Sequence, residues 1–159
     1  MRRIFKKFLA VLVLVSSLPL LGCGGGSGSD EASWDAFQPR TATPGDLVNR
    51  SFVFTDFEYG AVFDPSLNKT STTLAFGSLS SASGAVPATM SFTLGTSVGR
   101  ATGTASLSAD VLTLSFGAVD AGLPFATGGS LNFKLLADVD GGRISLTNQA
   151  TGKEATSKK

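Results

Sequence analysis

The sequence predicts an all-β protein: a single antiparallel domain of seven or eight strands forming a meander barrel, with a two-sheet β-sandwich as the alternative. Three observations carry that expectation. Apolar and polar residues alternate through most of the chain after Arg50, clusters of Gly, Ser, Asp and Pro punctuate the alternating runs, and the runs recur in one order at a nearly fixed spacing. Alternation puts every second side chain of an extended strand on one face, and turn residues between runs let the next strand fold back. No window in this region carries a capped helical stripe.

The elements follow in chain order. "NRSFVFT" (49–55) opens the domain, and "GAVF" (60–63) supplies an eighth, short strand. "TTLAF" places Thr72, Leu74 and Phe76 on one face, and "MSFTL" does so with Met90, Phe92 and Leu94. "GRATGTAS" (99–106) follows, then "VLTLSF" with Leu112, Leu114 and Phe116. "LNFKL" aligns Leu131, Phe133 and Leu135, and "RISLT" aligns Ile144 and Leu146. "TLAFG" (73–77) returns as "TLSFG" (113–117), "MSFTL" as "LNFKL" and "GRATGTAS" as "GRISLTN", shifted by 40, 41 and 43 residues. Same-order recurrence points to an internal duplication, against chance repetition in a chain rich in Ser, Thr, Phe and Gly. Two copies are too few for a solenoid or propeller, and closure into a barrel removes exposed strand edges.

Composition narrows the chemistry. The 159 residues hold one domain and contain no histidine and a single cysteine. That removes the commonest general base and metal ligand, an internal disulfide and a thiolate zinc site. Four of the 13 basic residues (Arg2, Arg3, Lys6, Lys7) lie in the first seven positions; without them nine face 12 acidic ones, a net of −3. No nucleic-acid partner is expected from such a balance.

The N-terminal segment carries the most specific signal. A basic head, "MRRIFKK", precedes the apolar run "FLAVLVLVSSLPL", which is shorter than the roughly 20 residues needed to span a bilayer. The run ends in Leu20, Leu21, Gly22 and Cys23, which resembles the lipobox of bacterial lipoproteins. The resemblance covers the first 25 residues or so. It implies cleavage between Gly22 and Cys23 and attachment of lipid to the Cys23 thiol. Several acyl chains, each worth about 0.8 kcal/mol per buried CH₂, give a stable membrane anchor. Gly24 stands where the inner-membrane retention signal of enteric bacteria places Asp, which implies outer-membrane residence where the source has one. The chain therefore divides into a signal peptide (1–22), a lipidated Cys23 with a flexible tether (23–49), the β-domain (50–149) and a polar tail (150–159).

Candidate sites within the domain are few. Phe52, Phe54, Phe57 and Tyr59 make its first strand aromatic on both faces, as core or as the wall of an apolar ligand site. Asp56 and Glu58 share a strand face, with Asp64 nearby as a third oxygen ligand, though such carboxylates are usually just hydrated. "DVDGG" (138–142) has acids two apart as in a calcium loop, but Gly142 and Gln149 occupy positions that need ligands. It reads instead as a two-residue hairpin turn with Gly141 at positive φ and Asp138 dispensable. Without histidine, serine paired with Lys69 or Lys134 is the remaining nucleophilic route. No catalytic residue, metal site or cofactor is expected.

The expected function is that of a membrane-anchored envelope lipoprotein with a non-catalytic binding or scaffolding domain. One alternative is a carrier or sensor of a small apolar ligand inside the barrel. Another is an enzyme built on carboxylates or a Ser–Lys pair. The expected partners are the membrane, through the N-terminal lipid, and an envelope protein or a small apolar ligand.

Overall fold

A computed structural model describes residues 36–55, 59–80 and 84–159. Among these, nine strands form one antiparallel sheet: β1 (Pro39–Thr41), β2 (Ser51–Phe54), β3 (Ser71–Phe76), β4 (Val86–Leu94), β5 (Ser97–Ser108), β6 (Val111–Val119), β7 (Ser130–Asp138), β8 (Ile144–Asn148) and β9 (Glu154–Thr156). From β2 to β9 each strand pairs with the next along the chain. The two edges of this eight-stranded meander meet where the Lys158 N–H donates to the Val53 carbonyl at 2.8 Å. The sheet is a nearly closed meander barrel, and one continuous sheet rules out the two-sheet sandwich.

The seven strands of the sequence repeat are β2 to β8. Each repeating unit holds three strands, an odd number, so an antiparallel meander turns the second unit end over end relative to the first. We call the end where β2 begins and β7 finishes the base, and the opposite end the mouth. Curvature comes partly from a bulge: the β5–β6 register slips between Thr102 and Gly103. Only glycine fits there, because a Cβ on Gly103 would lie 1.8 Å from the Ser115 carbonyl oxygen.

Inward positions follow the alternation. Leu74 and Phe76 in β3, Met90 and Phe92 in β4, Leu112, Leu114 and Phe116 in β6, Phe133 and Leu135 in β7, and Ile144 and Leu146 in β8 are all buried. Thr72 is buried too, with its hydroxyl unpartnered. Leu94 departs from its pattern, being 59% exposed. Outward positions of the central strands bear hydroxyls: Thr89 faces Thr102, and Thr104 faces Ser115, which faces Ser130. Lipid demands the reverse, an apolar outer band. Among the described residues no helix is long and apolar enough to cross a membrane.

Four expectations need correction. Residues from Gln38 onward, read as tether, belong to the fold: β1 pairs with the end of β7, a 3₁₀ turn follows at Pro44–Asp46, and Ala42 and Leu47 are buried. The polar tail supplies β9, where Ala155 is buried against β8. "GAVF" is no strand; Tyr59–Val62 is a 3₁₀ turn. Gly60 there lies so close to the Leu67 carbonyl oxygen that a Cβ would approach to 1.9 Å, a contact that an extended segment would not make. The β7–β8 loop is longer than two residues: the Asp138 N–H donates to the Arg143 carbonyl, leaving Val139–Gly142 as a four-residue turn. Gly141 does take a positive φ, +71°.

Candidate functional site

Phe52 and Phe54 both point inward and are 2% and 0% exposed. Phe52 meets Phe76 edge to face at 6.1 Å, and Phe54 meets Phe63 at 5.8 Å. Phe63, delivered by the segment after β2, also contacts Phe92 at 5.8 Å and Phe133 at 5.6 Å. These four rings fill the axis between opposite walls, in the edge-to-face geometry that aromatic quadrupoles favour. An eight-stranded barrel is just wide enough for its own side chains to fill. The first-strand aromatics are thus core here. Tyr59 opens a 3₁₀ turn, while Phe57, Asp56 and Glu58 lie outside the described residues, as do Gly22, Cys23 and Trp34.

Apolar space that a guest can reach lies at the mouth. The loop 120–129 folds back over the rim: the Asp120 carboxylate accepts from the Arg100 N–H at 2.8 Å. Leu123 then drops onto Gly99, where a Cβ would stand 2.9 Å from the leucine methyl. Phe125 stacks on Phe92 and Phe116 at 5.5 and 4.9 Å. Beside this flap runs a half-open groove of about 290 Å³, whose walls include Leu67, Phe92, Leu94, Val98 and Leu123. Leu94 and Val98 are 59% and 52% exposed, and among the described residues no charged side chain lines the groove. Sequence reasoning missed this site. The available signal was "GLPF", two large apolar residues within a Gly/Pro loop. A polar hollow of the same volume beside the β8–β9 turn is lined, among the described residues, by Ala61, Asn68, Lys153 and Glu154.

The base is polar. The Arg40 guanidinium clasps the Asp46 carboxylate with two hydrogen bonds, at 2.9 and 2.5 Å, and the Thr43 N–H and hydroxyl add two more at 2.8 Å. The Arg40 hydrogen bond, reinforced by those of Thr43, holds Asp46 far below the usual carboxylate range despite its burial. Asp138, expected to be dispensable, is buried; its carboxylate accepts from the Gln38 and Val139 N–H groups and from Arg143. Burial pushes its pKa up, but these bonds and the Arg143 charge outweigh it and leave a net downward shift. Arg50 donates to the Gly141 carbonyl, and Lys159 pairs with Asp140 at 3.0 Å. Arg143 also lies over the Phe37 ring, 5.8 Å from its centroid. The two acids of "DVDGG" therefore work as structural anchors of a turn.

Other expectations resolve locally. Asp64 caps the 3₁₀ turn Pro65–Leu67, accepting from the Ser66 N–H at 2.8 Å. Lys69 and Lys134 are both exposed. Among the described residues no three His, Cys, Asp or Glu side chains gather as a metal site. No protein-family model, curated protein or solved structure matches the chain.

Proposed function

We propose that the protein is a lipid-anchored module of the bacterial cell envelope whose barrel serves as a rigid, non-catalytic support for binding at its surfaces. The observation that carries this reading is the filled axis. With Phe54, Phe92 and Phe133 all in contact with Phe63, the interior is a core, and what a partner can reach is the mouth groove, the hydroxyl-bearing wall and the base. Because the fold begins near Gln38, the tether shortens to the fourteen residues 24–37, with a root-mean-square reach of about 20 Å. Metabolic labelling with a palmitate analogue tests the anchor. Cys23→Ala should abolish the label and release the protein from membranes; a label that persists refutes lipidation at Cys23.

The groove favours a second reading, in which a small apolar guest sits at the mouth instead of in the interior. Its walls, uncharged among the described residues, suit an alkyl or single-ring group without a headgroup. A fluorescent alkyl probe should bind saturably at one per chain, and Val98→Asp should abolish binding without lowering the melting temperature. Binding unchanged in Val98→Asp would exclude the groove as the site.

A further inference from the structure

The base of the barrel combines three features that point the same way. The chain enters the fold there, since the Val139 N–H donates to the Gln38 carbonyl at 3.0 Å and β1 starts opposite Asp138. Arg40, Arg50, Arg143, Lys158 and Lys159 all gather on this rim, from the segments that precede β2 and β8 and follow β9. Of the acids on this rim, Asp46 and Asp138 are buried beneath Arg40 and Arg143, and Asp140, which is exposed, pairs with Lys159; Arg50 and Lys158 stand exposed beside them. Finally, Val139 at the tip of the β7–β8 turn is 60% exposed and Leu79, in the loop after β3, is 48% exposed. A run of contacts connects the segments that carry them: the Ser78 hydroxyl donates to Asn49, next to Arg50, which holds Gly141.

We infer that the base is a membrane-facing surface that docks on anionic lipid headgroups, with Val139 and Leu79 entering the interface and Arg50, Lys158 and Lys159 above the phosphates. The chemistry is that of peripheral membrane faces: apolar tips gain from the headgroup–acyl boundary, and nearby cations from its negative potential. The buried carboxylates of Asp46 and Asp138 weaken that attraction less than exposed ones would, and Asp140 offsets part of the Lys159 charge. The chain enters the fold at this same end, so an N-terminal anchor approaches the barrel from the side of the base. The inference rests on the anchored reading for its approach to the membrane, and the test separates the two.

The lipidated full chain is reconstituted into vesicles with an environment-sensitive fluorophore on Val139→Cys or, separately, on Val98→Cys. Cys23 is acylated, so each engineered thiol is the only free one. Flotation with zwitterionic vesicles, unaffected by salt, reports the anchor alone. In vesicles with 30% anionic lipid, the label at 139 should be quenched by a bilayer-resident quencher while that at 98 is not. Lys158→Gln/Lys159→Gln should reduce the quenching about fivefold per cation at low salt without detaching the protein. Adding Arg50→Gln should reduce it further; the double variant keeps the Arg50–Gly141 bond and so controls for folding. Equal quenching at the two sites, or none at 139 on floated protein, overturns the inference. If the chain does not float, the anchor fails, and sedimentation of that unanchored chain with anionic vesicles then decides the face: binding lost in the double variant supports it, and no binding refutes it.

Discussion

Leu94 and Leu135 hold the same place in the two three-stranded units, yet Leu94 is 59% exposed and Leu135 is wholly buried. The odd strand count sends the first to the mouth and the second toward the base. At the base β7 runs three residues past Leu135, and β1 pairs with those residues while Ala42 and Leu47 add to the core. At the mouth β4 stops at Leu94, and the loop 120–129 covers the rim only in part. The repeat thus fixes which residues face inward. What happens to them is settled by segments outside the repeat, which seal one end and leave the other ajar.

The largest expected effects test that contrast directly. Leu135→Ala should destabilise by about 3 kcal/mol, as buried Leu truncations do, and Leu94→Ala by about 0.5 kcal/mol or less. Equal losses in urea unfolding would break the comparison. Leu47→Ala should resemble Leu135→Ala if the N-terminal segment is truly part of the seal. Gly141→Val forces a β-branched residue to a φ of +71° and should cost about 1–2 kcal/mol, read as a lower melting temperature. Asp138→Ala should lower the melting temperature more than Asp140→Ala, since only Asp138 is buried.

Two smaller effects sharpen the picture. Thr72 occupies the place that Leu112 holds in the second unit, and its buried hydroxyl has no partner. Thr72→Val should therefore stabilise by about 1 kcal/mol in thermal unfolding. Asp46, Asp138 and Asp140 all have pKa values held below that of a free carboxylate. Such groups stabilise the fold above the unfolded-state value of about 4, and the contribution fades as pH falls from there through their depressed values. Asp46→Asn should flatten part of that acid limb; an unchanged pH profile would mean that the Arg40 clasp adds nothing to stability.

Much of this was legible in the sequence because alternation is a direct consequence of strand geometry. Leu74 and Phe76, or Leu112, Leu114 and Phe116, announce both a strand and its inward face. β1 and β9 were not legible. "PRT" and "EAT" carry no apolar alternation, and they become strands because exposed backbone groups on β7 and β8 offer them partners. "GAVF" misled because a short apolar run has no period, and the close approach of Gly60 to Leu67 is a tertiary fact. The groove stayed hidden for a similar reason: Leu67, Leu94 and Leu123 come from three separate segments, and only closure of the barrel brings them together.

The hydrogen bond between Lys158 and Val53 has a consequence for how the chain comes into being. No chain shorter than residue 158 can make it. As the polypeptide is synthesised, β2 waits for β9 with its outer edge unpaired. At about 5–20 residues per second the interval lasts several seconds to about 20 seconds, long compared with the microseconds in which hairpins form. During that time Ser51–Phe54 offers an aromatic strand edge to any neighbouring chain, the circumstance in which edge-to-edge aggregation begins. The hazard for this protein is therefore greatest during its making, and its length is set by how fast residue 158 follows residue 53.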